Sequence, residues 1–219
     1  MHQYSIQRRF LLLGLGLVFL TSSTGCVNLA SNLLYQLYGN KKAAEYSGFK
    51  GKKVAIVCGT EKGLSSDATA TLLTRYLDAL LSSNIKDITI VRQDKVEKWL
   101  DAHGWSDADY QEIGKGVEAD QVLAINLMNM TLRDGMTLYK GKADISVSVY
   151  DVADGGKCVY RKNFPEFEYP RIGGPTVTDT SEARFHVLFL TVVSQYIGTL
   201  FYDADPNEKV ALDALSASL

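Results

Sequence analysis

Two periods of hydrophobic and polar residues run through this chain, and the switches between them mark its elements. Lys53 to Cys58 holds a short apolar run, Val54-Ala55-Ile56-Val57, between Gly51 and Gly59, which predicts a core strand. After a loop from Gly59 to Ser65, Ser66 reads as a helix cap with Asp67 in the first turn. Leu72, Leu73, Tyr76, Leu77, Leu80 and Leu81 then line one face of a helix that ends near Asn84. Asp87 to Arg92 predicts a second strand, with Ile88-Thr89-Ile90-Val91 at its centre. Asp94 with Glu97 opens a helix whose inner face is Val96, Trp99 and Leu100, and which Gly104 ends. Ser106 with Asp109 opens another, carrying Tyr110, Ile113 and Val117, with Gly114 and Gly116 allowing close packing or a stop.

The second half of the chain changes to a period of two. Asp120 to Thr131 reads as a longer strand. From Leu138 to Val152, Tyr139, Ala143, Ile145, Val147 and Val149 alternate with Lys140, Lys142, Asp144, Ser146 and Ser148, so one face meets water, as in antiparallel sheet. Asp154-Gly155-Gly156 predicts a hairpin turn, and Lys157 to Glu168 the returning strand. Pro165, Pro170 and Pro175 with Gly173-Gly174 mark a long irregular loop. A nearly all-apolar helix follows from Ser181 to Phe201, interrupted by Arg184, His186 and Gln195, which favours burial against a sheet over a membrane span. The order β-α-β-α-α-β-β-β-α predicts an α/β (α+β) two-layer sandwich. Its mixed sheet has about five strands, with a C-terminal antiparallel meander and helices packed on the sheet.

The first 26 residues follow neither period. Arg8 and Arg9 precede the unbroken apolar run Phe10 to Leu20, and small residues lead to Ser23-Thr24-Gly25-Cys26. The run is eleven residues long, short of the ~20 needed to cross a bilayer core. The segment resembles the signal of bacterial lipoprotein precursors, which are cut before a cysteine that is then acylated. That resemblance implies lipidation of Cys26 and tethering through its acyl chains, since several chains anchor firmly where one does not. Val27 follows where lipoproteins held at the inner membrane usually carry Asp, which implies a lipid-anchored place at the outer membrane, facing the periplasm. The organisation expected is 1–25 signal, 26–52 lipid-proximal segment and linker, 53–202 one α/β domain, and 203–219 a tail. Within 26–52, Val27 to Tyr38 reads as a short amphipathic helix and Lys41 to Gly51 as a linker.

Composition narrows the function classes. The segment before Cys26 holds two of the 23 basic residues and none of the 25 acidic ones, so the remainder carries a formal charge of −4. A mildly acidic chain with no basic stripe argues against nucleic acid. Hydrophobic residues make up 46% and charged residues 22%, which suits a folded core. Beyond Cys26 stand Cys58 and Cys158. An oxidising compartment permits a bridge between them, and separate core thiols are the other reading.

Two stretches carry a wider likeness. Ile113-Gly114-Lys115-Gly116-Val117-Glu118-Ala119-Asp120-Gln121-Val122-Leu123 is a helix end turning into a strand. Val147-Ser148-Val149-Tyr150-Asp151-Val152, then Asp154-Gly155 and Val159-Tyr160, is strand, turn and strand. Both resemble a superfamily of envelope lipoproteins that includes the curli secretion-channel lipoprotein and the lipoprotein activator of peptidoglycan synthases. Their domain also resembles the N-terminal domain of the Tol-system β-propeller protein. This chain departs from the pattern at Ala124-Ile125-Asn126, where the family has glycine. It also leaves no room for the membrane-inserting hairpins of the channel formers. Tyr35-Gln36-Leu37-Tyr38-Gly39, Pro165 to Pro170 and Phe185 to Asp205 look like a group of uncharacterised bacterial envelope lipoproteins.

Candidate chemistry is sparse. His103 at a helix end and His186 in the apolar helix have no zincin or paired-cysteine spacing around them. The loop Gly59 to Ser66 lacks the Gly-Lys-Ser/Thr ending of a phosphate loop. Asp107, Asp109 and Glu112 suit capping and the helix dipole. Trp99, Trp105 and Tyr110 read as core more than ligand platform. The expectation is a non-enzymatic protein with no cofactor, no metal and no small-molecule substrate. It binds an envelope protein partner, with a subunit of an oligomeric secretion or envelope assembly as the alternative. Tyr169 and Arg171, at the start of the proline loop, are the candidate contact residues.

Overall fold

The computed structural model describes residues 41–61, 63–64, 67–103 and 109–205. The signal, Cys26, the Val27–Tyr38 helix, Ser66, Gly104, Trp105, Ser106, Asp107 and the tail beyond Asp205 lie outside them.

Among the described residues ten elements follow in order: β1 Lys53–Thr60, β2 Gly63–Leu64, α1 Ala68–Asn84, β3 Thr89–Ile90, α2 Gln93–His103, α3 Tyr110–Gly116, β4 Gln121–Asp134, β5 Leu138–Asp151, β6 Lys157–Tyr169 and α4 Glu182–Gly198. The sheet runs β2-β1-β4-β5-β6, with β3 also paired to β1. β1 is parallel to β3 and to β4, from Val54 against Gln121 to Thr60 against Leu127. β4, β5 and β6 form the expected antiparallel meander. The result is a mixed α+β sheet, as the alternation predicted. β2 is an addition, because Gly63–Leu64 folds back antiparallel on Gly59–Thr60, a pairing too short for periodicity to reveal.

Helix starts follow side-chain chemistry. Asp67 caps α1 by accepting the Ala70 N–H at 2.8 Å, Asp109 caps α3 by accepting that of Gln111 at 2.8 Å, and Ser181 caps α4. Each satisfies an N–H that the first turn leaves without a helical partner.

Two apolar clusters sit on opposite faces. α1 and α4 pack against one face through Leu73, Leu77, Leu81, Phe185, Phe189, Val193 and Ile197, over Ile56, Leu123, Ile125, Val147 and Val149. α2 and α3 cover the other face only at β1 and the start of β4, through Val96, Leu100 and Ile113 over Ala55, Val57 and Val122. The packing is therefore two-layered over β5 and β6, whose second face is polar. At α3, Gly116 lies directly under the Trp99 indole, so a side chain there would displace the ring.

Residues 42–52 differ from the expected linker. Lys42 pairs antiparallel with Ala204, the Tyr46 N–H donates to the Leu200 carbonyl at 2.9 Å, and Phe49 is 0% exposed. Phe49 packs on Tyr46 and Phe201, with ring centres 5.3 and 4.7 Å away. The folded body thus begins at Lys42 and reaches at least Ala204. An aromatic residue that fills the gap beyond the end of α4 looks, in sequence, like one apolar residue in a polar stretch.

Candidate functional site

β6 ends the sheet, and its outer edge has no strand partner among the described residues. Beside its second half lies a groove of about 750 Å³ lined by Asn163 to Glu168, Arg171 and Tyr196. A bulge shapes it. Ala143 pairs with Phe167 and Ile145 with Phe164, so the single residue Asp144 faces both Pro165 and Glu166. Phe164 and Phe167 are three apart and would point to opposite faces of a regular strand. The extra residue turns both toward α4, where both pack on the core. Phe167 meets Tyr196 edge-on, with ring centres 5.1 Å apart. Opposite Tyr169, Gly141 lies under the Phe189 ring, which only a residue without Cβ permits.

Charge around the groove is partly neutralised. Glu168 accepts ion pairs from Lys140 at 2.7 Å and Lys142 at 3.4 Å. The Lys140 hydrogen bond chiefly holds the Glu168 carboxyl below its ordinary range, against desolvation and with help from Lys142. Arg171 is exposed on the rim. The groove therefore offers apolar rings, open strand edge and a guanidinium side by side.

The two expected contact residues part company here. Tyr169 is 1% exposed and belongs to the core, because the bulge aligns it with Phe167 under α4. The reading of Tyr169 as a contact is corrected; Arg171 stays on the surface. The proline loop then returns to the sheet: Tyr139 N–H donates to the Pro175 carbonyl at 2.9 Å, and Val177 N–H to that of Thr137 at 3.0 Å. Phe164, Phe167 and Tyr196 escaped sequence reading as a group because only the bulge puts them together.

Other singled-out residues have structural places. His103 stacks on Trp99, ring centres 4.2 Å apart, and its Nδ1 lies 2.8 Å from the Trp99 carbonyl oxygen. Half-buried His186 has Nε2 3.4 Å from Thr69 Oγ1; burial pushes its pKa down, against Asp67 and Glu182. Tyr110 stacks on Tyr150. Cys58 and Cys158 are free thiols, on β1 and β6, with β4 and β5 between. Among the described residues no group of His, Cys, Asp and Glu is placed to hold a metal ion. No described helix is long and apolar enough to cross a membrane.

No family model matches this chain, and no curated protein does. Several solved bacterial structures resemble its fold. One is lipoprotein GNA1162 from Neisseria meningitidis, at 14% identity and TM-score 0.43, covering 66% of this chain and 97% of that one. Another is the LpoB C-terminal domain from Salmonella enterica, at 16% identity and TM-score 0.35, covering 63% and 91%. A third is a PelC dodecamer from Paraburkholderia phytofirmans, at 13% identity and TM-score 0.38, covering 74% and 94%.

Proposed function

We propose that this chain is a lipid-anchored protein of the bacterial envelope that docks a second envelope protein in the groove beside β6, without covalent chemistry of its own. Acyl chains on Cys26 hold it at the outer membrane, facing the periplasm. The groove carries the reading, because an open strand edge, three aromatic rings and an exposed arginine meet there. An extended segment of a partner adds main-chain hydrogen bonds beside Asn163 to Glu168, save at Pro165, which has no N–H, and at the Glu166 N–H, which Asp144 holds, and seats apolar side chains on Phe164, Phe167 and Tyr196. A carboxylate of that segment pairs with Arg171. Anchoring raises the local concentration of both proteins at one membrane, so a modest contact suffices.

A photoreactive amino acid placed at Asn163 in living cells tests the groove, with Lys86, exposed ahead of β3, as control. One defined adduct from position 163, absent from position 86 and lost in Arg171→Glu, is the expected result. Equal adducts from both positions, or none, overturn the groove. An adduct of the chain with itself assigns the edge to an oligomeric assembly instead. Radiolabelled palmitate entering the wild type but not Cys26→Ala tests the anchor separately.

A further inference from the structure

Where β4 turns into β5, the molecule holds out two apolar side chains that neither core uses. Met136 is 88% exposed and Ile172 is 93% exposed. Met136 follows Gly135 at φ +66 on the turn, and Ile172 precedes Gly173 at φ +68 in the proline loop, backbone that glycine adopts without strain. The two loops are fastened to each other. Leu138 pairs with Thr176, and the Tyr139 and Val177 amides donate across the join. The projecting side chains thus stand on fixed backbone.

Their neighbours are polar: Thr137 follows Met136, and exposed Arg171 precedes Ile172. Protein partners bury apolar residues in a continuous patch with a polar rim. Met136 and Ile172, on two different loops with polar residues beside each, suit a bilayer interface. It takes each side chain among the acyl chains while headgroups hydrate the polar groups around it.

We infer that this end inserts Met136 and Ile172 shallowly into a lipid bilayer. The inference rests on the lipid-anchored reading, which keeps a bilayer within reach. The body begins at Lys42, paired with Ala204, and four residues on Tyr46 Oη donates to Gln121 at 3.2 Å, at the start of β4. From Gln121 to Asp134 the strand rises roughly 40 Å. The 15 residues from Val27 to Lys41 span at most about 50 Å. With Val27–Tyr38 extended rather than helical, the same bilayer that holds the acyl chains can receive this end.

The test uses the chain from Val27 to Leu219, which keeps the whole body but carries no acyl group, in a Cys158→Ser background. Nitroxide labels go on Met136→Cys, Ile172→Cys and, as control, Lys86→Cys. Vesicles of phosphatidylglycerol and phosphatidylethanolamine are added. Labels at 136 and 172 should gain accessibility to oxygen and lose it to a water-soluble nickel chelate, while the label at 86 does not change. Met136→Ser or Ile172→Ser should each weaken vesicle co-sedimentation about tenfold, as lost burial of one large apolar side chain implies. Labels at 136 and 172 that stay in water, or a double serine variant that sediments like the wild type, overturn the inference. A failure of palmitate labelling alone leaves these readouts unchanged, so the two proposals fail separately.

Discussion

The carboxylate of Asp144 on β5 accepts the backbone N–H of Glu166 on β6 at 2.8 Å, and holds the bulge that shapes the groove. Its other oxygen accepts from Asn129 Nδ2 at 2.7 Å, at an irregularity of β4 on the opposite side. Glu166 and Asn129 both have positive φ, 51° and 53°. One acidic side chain thus fastens a distortion on each neighbouring strand. The Glu166 amide, then Asn129, keep its pKa below the usual 3.8. A carboxylate lowered on folding stabilises above its unfolded pKa and loses that contribution as pH falls through the folded value. The Glu166 amide resonance should therefore titrate with a midpoint below 3.8. In Asp144→Ala it should not titrate with Asp144, and it should exchange with solvent faster; an unchanged exchange rate would refute the role.

Glu45 gathers three donors, two from distant β6 and one from Lys42 three residues before it. Tyr160 Oη donates at 3.0 Å, and Lys162 and Lys42 each approach to 3.2 Å. Burial alone would raise its pKa, but Lys162, Tyr160 and Lys42 outweigh that and lower it below 4.5. For Tyr160, burial and then Glu45 raise the phenol. Tyr160→Phe should cost about 1.5–3 kcal/mol near pH 7, the range for a hydrogen bond to a charged group. The Glu45 contribution is present above pH 4.5 and fades below it, so urea unfolding of wild type and Glu45→Gln should converge as pH drops toward 3.

Phe49 should behave as a core residue. Phe49→Ala removes a fully buried ring and leaves a cavity against Phe201, at a cost of about 3–5 kcal/mol. Thermal unfolding distinguishes this from a linker residue, whose replacement by alanine would move the midpoint little.

The two thiols should differ in reactivity. Desolvation, with a further push from Asp67, raises Cys58 to about 12, and the side chain is buried. Cys158 is half-buried, its Sγ 3.2 Å from the Tyr160 carbonyl. Iodoacetamide at pH 8 should modify Cys158 in the native protein and Cys58 only in denaturant. Equal labelling, or a bridged species on a non-reducing gel, would contradict this placement.

His186 gives a pH dependence of its own. Burial lowers its pKa from 6.5, and Asp67 and Glu182 only partly oppose this. The unfolded chain then binds the proton more readily than the fold does. Stability should decline as pH falls below 6.5 toward the folded value, by an amount that His186→Gln removes. Chemical denaturation between pH 7.5 and 5 measures it; parallel curves for both proteins would exclude His186 as the source.

By itself the sequence determined the order of every element but β2, the antiparallel meander and the apolar faces of the helices. Those follow from local periods: Tyr139 to Val149 alternates because one sheet face meets water, and Leu73, Leu77 and Leu81 recur with the helical turn. Tertiary structure decided what local pattern does not encode. Phe164 and Phe167 share a face only because Asp144 holds two residues opposite one. Tyr169 is core only because that bulge shifts the strand's phase under α4. Phe49 is core only because the end of α4 leaves a gap that a residue about 150 positions earlier fills. A period reports which side of its own element a residue faces; contact between elements depends on register and on the space that neighbouring chains leave.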